Sequence, residues 1–226
     1  MIKHLIRLDF YAMKPLRKFI FSFIFIPIIL GVVVDPGMSI MVTLTFMVFM
    51  LNIVFAITER SNFNKLYGVL PIKKSTNILS RYLFSLIAIG VTAIISFILF
   101  LILSVITKEG VDWIYGIQFL AISILIAVLF ISVQYPFYFK LDYAKASIMA
   151  ILPYIVCFAI GIPLVNYLMN NQVFYRYIMS MVVYFRSNVL AFILIVLAIS
   201  FLSVTFSYLL SRKADNKTIN TYANET

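Results

Sequence analysis

The sequence predicts an all-α, polytopic membrane protein: six transmembrane helices, an N-terminal amphipathic interfacial helix and a short helix on a cytoplasmic loop. Three observations carry that expectation. Hydrophobic residues make up 64% of the 226-residue chain and charged residues only 12%, against about 45–50% and about 25% in soluble domains. The apolar residues gather into runs of about 20, the length a helix needs to cross a hydrocarbon core about 30 Å thick. The charges fall between those runs with a strong bias of sign, 18 Lys/Arg against 8 Asp/Glu.

Residues 1–18 read as a helix lying on the inner membrane surface. Lys3, Arg7, Lys14, Arg17 and Lys18 share one arc of a helical wheel, and Ile2, Leu5, Ile6, Leu8, Met13 and Leu16 occupy the other. Asp9 falls within the apolar arc and Phe10 on the basic one. Either the helix touches protein at that point, or the wheel is imperfect. His4 has no partner His or Cys nearby and reads as an exposed interfacial residue.

A transmembrane domain over 19–211 follows, with spans at 19–34, 38–57, 83–106, 116–138, 147–168 and 188–210. The first has 16 residues and contains Pro27 and Gly31, so it is expected to be thin, kinked or extended by snorkelling Arg17 and Lys18. No small-residue cleavage site follows it, and it reads as retained. Asp35-Pro36-Gly37 makes a compact turn into the second span.

Between the second and third spans lies the long polar loop 58–82. It carries Arg60, Lys65, Lys73, Lys74 and Arg81 against one acid, Glu59, which assigns it to the cytoplasmic face. Phe63, Leu66, Tyr67 and Leu70 recur at helical i, i+3, i+4, i+7 spacing, and Pro71 stops the helix. Such a stripe suits docking to a partner; the competing reading is a stripe lying in lipid headgroups. With both termini cytoplasmic, the inner segments hold five Lys/Arg before the first span, five in this loop, Lys140 and Lys145 after the fourth span, and Arg212, Lys213 and Lys217 in the tail 212–226. That is 15 inside against Lys108, Arg176 and Arg186 outside, as the positive-inside rule requires. A seventh span at 170–187 would put the basic tail outside, so that segment reads as interfacial or re-entrant on the outer face.

Several chemistries are excluded. The formal charge of +10 would point to nucleic acid in a soluble chain, but here it sits beside the spans, where it sets topology and meets anionic lipid. One cysteine, Cys157, allows neither a disulfide within the chain nor a thiolate metal site, and reads as a small buried hydrophobe. No Asp, Glu, Lys, Arg or His lies in the interior of a span, which disfavours ion-coupled transport. Asn52 and Gln134 are the main amides there. Interhelical hydrogen bonding, worth about 1 kcal/mol, is their first reading, and a polar lining of a translocation path their second. There is no His/Glu metal motif and no nucleophile–base pair, hence no catalytic residue and no metal site. The seven glycines contain no phosphate-binding loop, so any ATP and Mg must be handled by a partner.

The run Leu66-Tyr67-Gly68-Val69-Leu70-Pro71-Ile72-Lys73-Lys74, followed by Leu79-Ser80-Arg81-Tyr82, resembles the first cytoplasmic loop of small bacterial ABC transporter permeases of the type-2 exporter class. The stretch Tyr135–Ala146, with Lys140, Asp142 and Lys145, is similar to their second loop. It departs from it where Asp142 and Ala144 stand in place of a glycine and an acidic residue. The resemblance implies a permease subunit in a bacterial cell membrane, paired with a second permease and bound to two cytosolic nucleotide-binding ATPases. Loop 58–82 would then present a coupling helix, with Phe63, Leu66, Tyr67 and Leu70 as apolar contacts, Pro71 as its stop and Glu59 at the rim. Permeases that export amphipathic cytotoxic peptides of the phenol-soluble modulin kind look similar, so an amphiphilic peptide or lipid-like cargo is the implied substrate. From a different class comes the alternative of a membrane-embedded immunity or accessory protein that binds a toxin without moving it.

Overall fold

The computed structural model describes residues 2–14, 24–60, 74–107, 110–141 and 143–223. The described elements are helices: α1 (Ile2–Ala12), α2 (Phe25–Val33), α3 (Pro36–Arg60), α4 (Lys74–Ile106), α5 (Trp113–Lys140), α6 (Tyr143–Val156), α7 (Ile162–Met169), α8 (Gln172–Ser187) and α9 (Val189–Ala223). One π-helical turn, Cys157–Gly161, joins α6 to α7.

Five stretches are long and apolar enough to cross a membrane: Pro36–Ile57, Ser75–Ile106, Trp113–Lys140, Tyr143–Met169 and Val189–Lys213. They coincide with the expected second to sixth spans. The expected first span is described only from Ile24, where α2 runs for nine residues. Pro27 sits in the first turn of α2, where its missing N–H has no helical acceptor to lose. Gly31 serves contact, since a Cβ there would lie 2.5 Å from Leu103 Cδ1 and 3.0 Å from Ser39 Cβ. Polar side chains do not end α4 early; it is helical from Lys74 onward, so Arg81 and Tyr82 stand two turns inside it.

Central in the bundle is α5, packed most extensively on α9 and α3, with α4 and α6 completing its surround. The core stripe of α3 is Ile40, Leu44, Val48, Leu51 and Val54; opposite it lie Tyr82, Phe84 and Ala88 of α4 and Val128, Ile131 and Tyr135 of α5, all buried. Spacing of three or four residues keeps the α3 and α5 sets each on one helix face, whereas Tyr82 and Phe84 of α4, two residues apart, turn toward Tyr135 of α5 and Phe10 of α1 respectively. The unit Tyr143–Met169 behaves differently. It touches α5 through Ala146 and Ala150, two small residues one turn apart that let backbones approach, and through the rings of Tyr143 and Tyr154, which meet Tyr138 and Phe130; most of its other described side chains are exposed. Cys157, expected to be buried, is therefore exposed: its helix packs on the bundle by one edge only.

Successive long helices run antiparallel, which gives the bundle two chemically distinct ends. At one end gather α1, the last turn of α3, the start of α4, the last turn of α5 with Lys140, the start of α6 with Lys145, and Arg212 and Lys213 of α9. At the opposite end Tyr115 Oη donates to Asp35 Oδ1 (2.9 Å), and Arg186 Nη2 pairs with Asp112 Oδ2 (2.7 Å). Gln118 Nε2 also donates to the Phe185 carbonyl (2.9 Å), tying α8 (within the expected segment 170–187) to α5 at that end.

Candidate functional site

The chemistry of the chain converges at the basic end, around the two helices that carry the ends of the 61–73 segment. Phe63, Leu66, Tyr67, Leu70 and Pro71 lie outside the described residues, as does Asp142. Glu59 belongs to the last turn of α3. Lys140 and Lys145 are exposed at the α5–α6 turn. Neither amide of the spans is exposed: Asn52 is buried in α3, and Gln134 is wholly buried, its Nε2 donating to the Ala150 carbonyl at 2.9 Å. The structure thus gives Gln134 the interhelical bond of its first reading.

The most consequential groups at this end were not among the candidates. Asp9 of α1 and Arg81 of α4 form an ion pair (3.4 Å) with both side chains almost fully buried. The Arg81 guanidinium lies over the Phe55 ring of α3, 5.0 Å from its centroid. Phe55 in turn stacks on Tyr138 of α5 at 4.4 Å with the rings 8° from parallel. Phe10 meets Phe84 edge to face at 4.9 Å. The two residues that spoil the α1 wheel both touch protein, as do Leu5, Ile6 and Met13 beside them. Burial pushes the Asp9 carboxyl up to about 6, against the opposing pull of Arg81.

Beside the ion pair runs a chain of hydroxyls. Ser207 Oγ donates to the Ser132 carbonyl (2.6 Å). That carbonyl has lost its own helical donor, because the residue four positions on is Pro136 and carries no N–H. With the Ser207 proton committed, Tyr82 Oη must donate to Ser207 Oγ (2.6 Å) and accept from Ser211 Oγ (3.0 Å). A second link joins Tyr135 Oη to Ser85 Oγ, whose own proton goes to the Arg81 carbonyl (2.8 Å). One compact junction therefore ties α1, α3, α4, α5 and α9 together where the 61–73 segment leaves α3 and enters α4. It holds no nucleophile–base pair, and among the described residues no group of three or more His, Cys, Asp or Glu is placed to hold a metal.

The family model described as ABC-2 family transporter protein matches residues 4–214, nearly the whole chain. The chain belongs to the ABC-2 transporter family. Comparisons with curated proteins and with solved structures find no match. As an ABC-2 protein it is the membrane-spanning subunit of an ABC transporter, a transport component that works with ATPase subunits and a permease partner. The junction gives such a permease a rigid basic end. Sequence reasoning had one pointer to it, the misplaced Asp9. Arg81 was read as a loop cation, because its partner sits on a distant element.

Proposed function

We propose that this ABC-2 permease is the transmembrane half of an ATP-driven exporter of an amphiphilic substrate, an amphipathic or toxic peptide, and that the basic end faces the cytoplasm. The segment 61–73 would dock a partner ATPase through Phe63, Leu66, Tyr67 and Leu70, with Glu59 at its root. The observation that carries this reading is the buried Asp9–Arg81–Phe55 junction. A push on the segment reaches α3 and α4 first, and these helices are locked to α1, α5 and α9 within two turns of where the segment joins them. The exposed apolar face of Tyr143–Met169 suits contact with a second permease, and the apolar aromatic- and Met-rich interior suits an amphiphile.

Transport by membrane vesicles tests the energy source. With ATP maintained, collapse of the proton gradient should leave export of an amphipathic peptide largely intact, because among the described residues no Asp, Glu, Lys, Arg or His is buried in the mid-membrane to couple to it. Loss of export in parallel with the gradient would replace this reading with secondary transport.

A further inference from the structure

A groove of about 530 Å³ runs between α5 and α9 at the basic end, within the range of small-molecule sites, about 300–1,000 Å³. Its walls include Leu129 and Val133 of α5 and Phe206 and Leu210 of α9, each substantially exposed. Lys140 and Lys213, both exposed, belong to the last turn of α5 and to the end of the membrane-crossing part of α9, and they close the groove's end; among the described residues that line it none is acidic. Amphipathic chemistry is thus laid out along the membrane normal: apolar walls at chain depth, two cations at headgroup depth.

We propose that this groove binds an anionic phospholipid of the leaflet at the basic end, its phosphate between Lys140 and Lys213 and an acyl chain along Leu129, Val133, Phe206 and Leu210. A second copy of the chain would bring its own lysines to the same rim and meet repulsion, whereas a lipid phosphate supplies the missing charge. Basic pockets between transmembrane helices are where anionic headgroups are held. Assigning the leaflet to the cytoplasmic side rests on the orientation proposed above; the lipid chemistry does not. Occupancy would brace α5 against α9 next to the Ser207–Ser132 bond, linking membrane composition to the junction.

Native mass spectrometry of the full chain, purified with whatever subunits accompany it and offered phosphatidylglycerol and phosphatidylcholine together, is the test. Wild type should retain phosphatidylglycerol selectively. A Lys140→Gln/Lys213→Gln double variant should bind it about 25-fold more weakly, about fivefold for each cation lost. Lys140→Arg/Lys213→Arg should restore it, which excludes misfolding as the cause. Val133→Trp, which fills the groove and keeps both charges, should weaken retention comparably, and Lys3→Gln/Arg7→Gln, an equal charge loss on α1, should change it less than twofold. Equal retention of phosphatidylcholine, loss no greater in the double variant than in the α1 control, displacement by millimolar inorganic phosphate alone, or a Val133→Trp effect on subunit pairing with no change in lipid would each overturn the proposal. Labelling of a cysteine at position 140 from outside intact cells would reverse the leaflet and the orientation, while the lipid selectivity would still judge the groove.

Discussion

Asp9 and Arg81 are an uneven pair, and that unevenness fixes what each contributes. Burial raises the Asp9 carboxyl to about 6 although a guanidinium stands 3.4 Å away, so desolvation outweighs the attraction. A folded-state value above the ordinary 3.8 means that the protonated acid is the form the fold prefers. The stability this group contributes is complete below pH about 4 and is lost as pH rises through about 6. Thermal unfolding of the purified permease in detergent should therefore show wild type losing stability across that window and Asp9→Asn running flat through it, with little loss at pH 7. Arg81→Met should move the pH window of the wild type upward, because without its counter-charge the buried carboxyl stays neutral to higher pH. A wild-type profile that climbs from pH 4 to 7 would show that the pair is held together by attraction. None of this was legible from hydropathy: Asp9 stood out only as a flaw in a helical wheel, and Arg81 looked like one more loop cation.

At the scale of elements, Ser207 repairs a carbonyl that Pro136 leaves without a helical partner, and in doing so it fastens α9 to α5 and, through Tyr82, to α4. Ser207→Ala should cost about 1–2 kcal/mol and should depress substrate-stimulated ATP hydrolysis more than ATPase binding. Adding Pro136→Ala restores an amide N–H to Ser132 and should recover most of the stability. It should not recover the stimulation, because the Tyr82–Ser207 bond stays missing and Ser211 alone then holds Tyr82 to α9. Full recovery of both by the double variant would make the bond purely structural. The spans themselves were legible, since runs such as 38–57 and 116–138 are apolar enough to need a bilayer. Their ends were not. Arg81, seven residues into α4, can be buried because Asp9 of α1 meets its charge, a tertiary effect that no local window contains. Cys157 was placed inside for the opposite reason: apolar residues signal burial from water, and in a membrane that includes faces turned toward lipid or a partner.

For the whole molecule, the proposed orientation rests on charge. Lys3, Arg7, Lys14, Lys140, Lys145, Arg212 and Lys213 collect at one end of the bundle, and the segment bearing Arg176 and Arg186 is tied to the other. Single cysteines introduced at 140, 145 and 212 in a Cys157→Ala background should resist impermeant thiol reagents in intact cells, while cysteines at 112 and 176 should be labelled. Labelling of both sets from outside would dismantle the proposed topology. The family could be read from one loop, and that loop also bears the claim on which the functional account turns. The stripe of Phe63, Leu66, Tyr67 and Leu70 is a periodicity of the sequence; the junction proposed to receive its motion was not legible, because Asp9, Arg81, Tyr82 and Ser207 meet only in the folded bundle. Co-purification of the ATPase with Leu66→Asp and Leu70→Asp variants tests the claim most directly. A charge placed in a desolvated groove carries a penalty of several kcal/mol that touches no membrane span, so both variants should insert at near-normal levels, lose the ATPase and lose stimulated hydrolysis together, while Lys73→Arg keeps all three. Normal insertion with a full complement of ATPase still bound would contradict the account and return the stripe to the lipid headgroups.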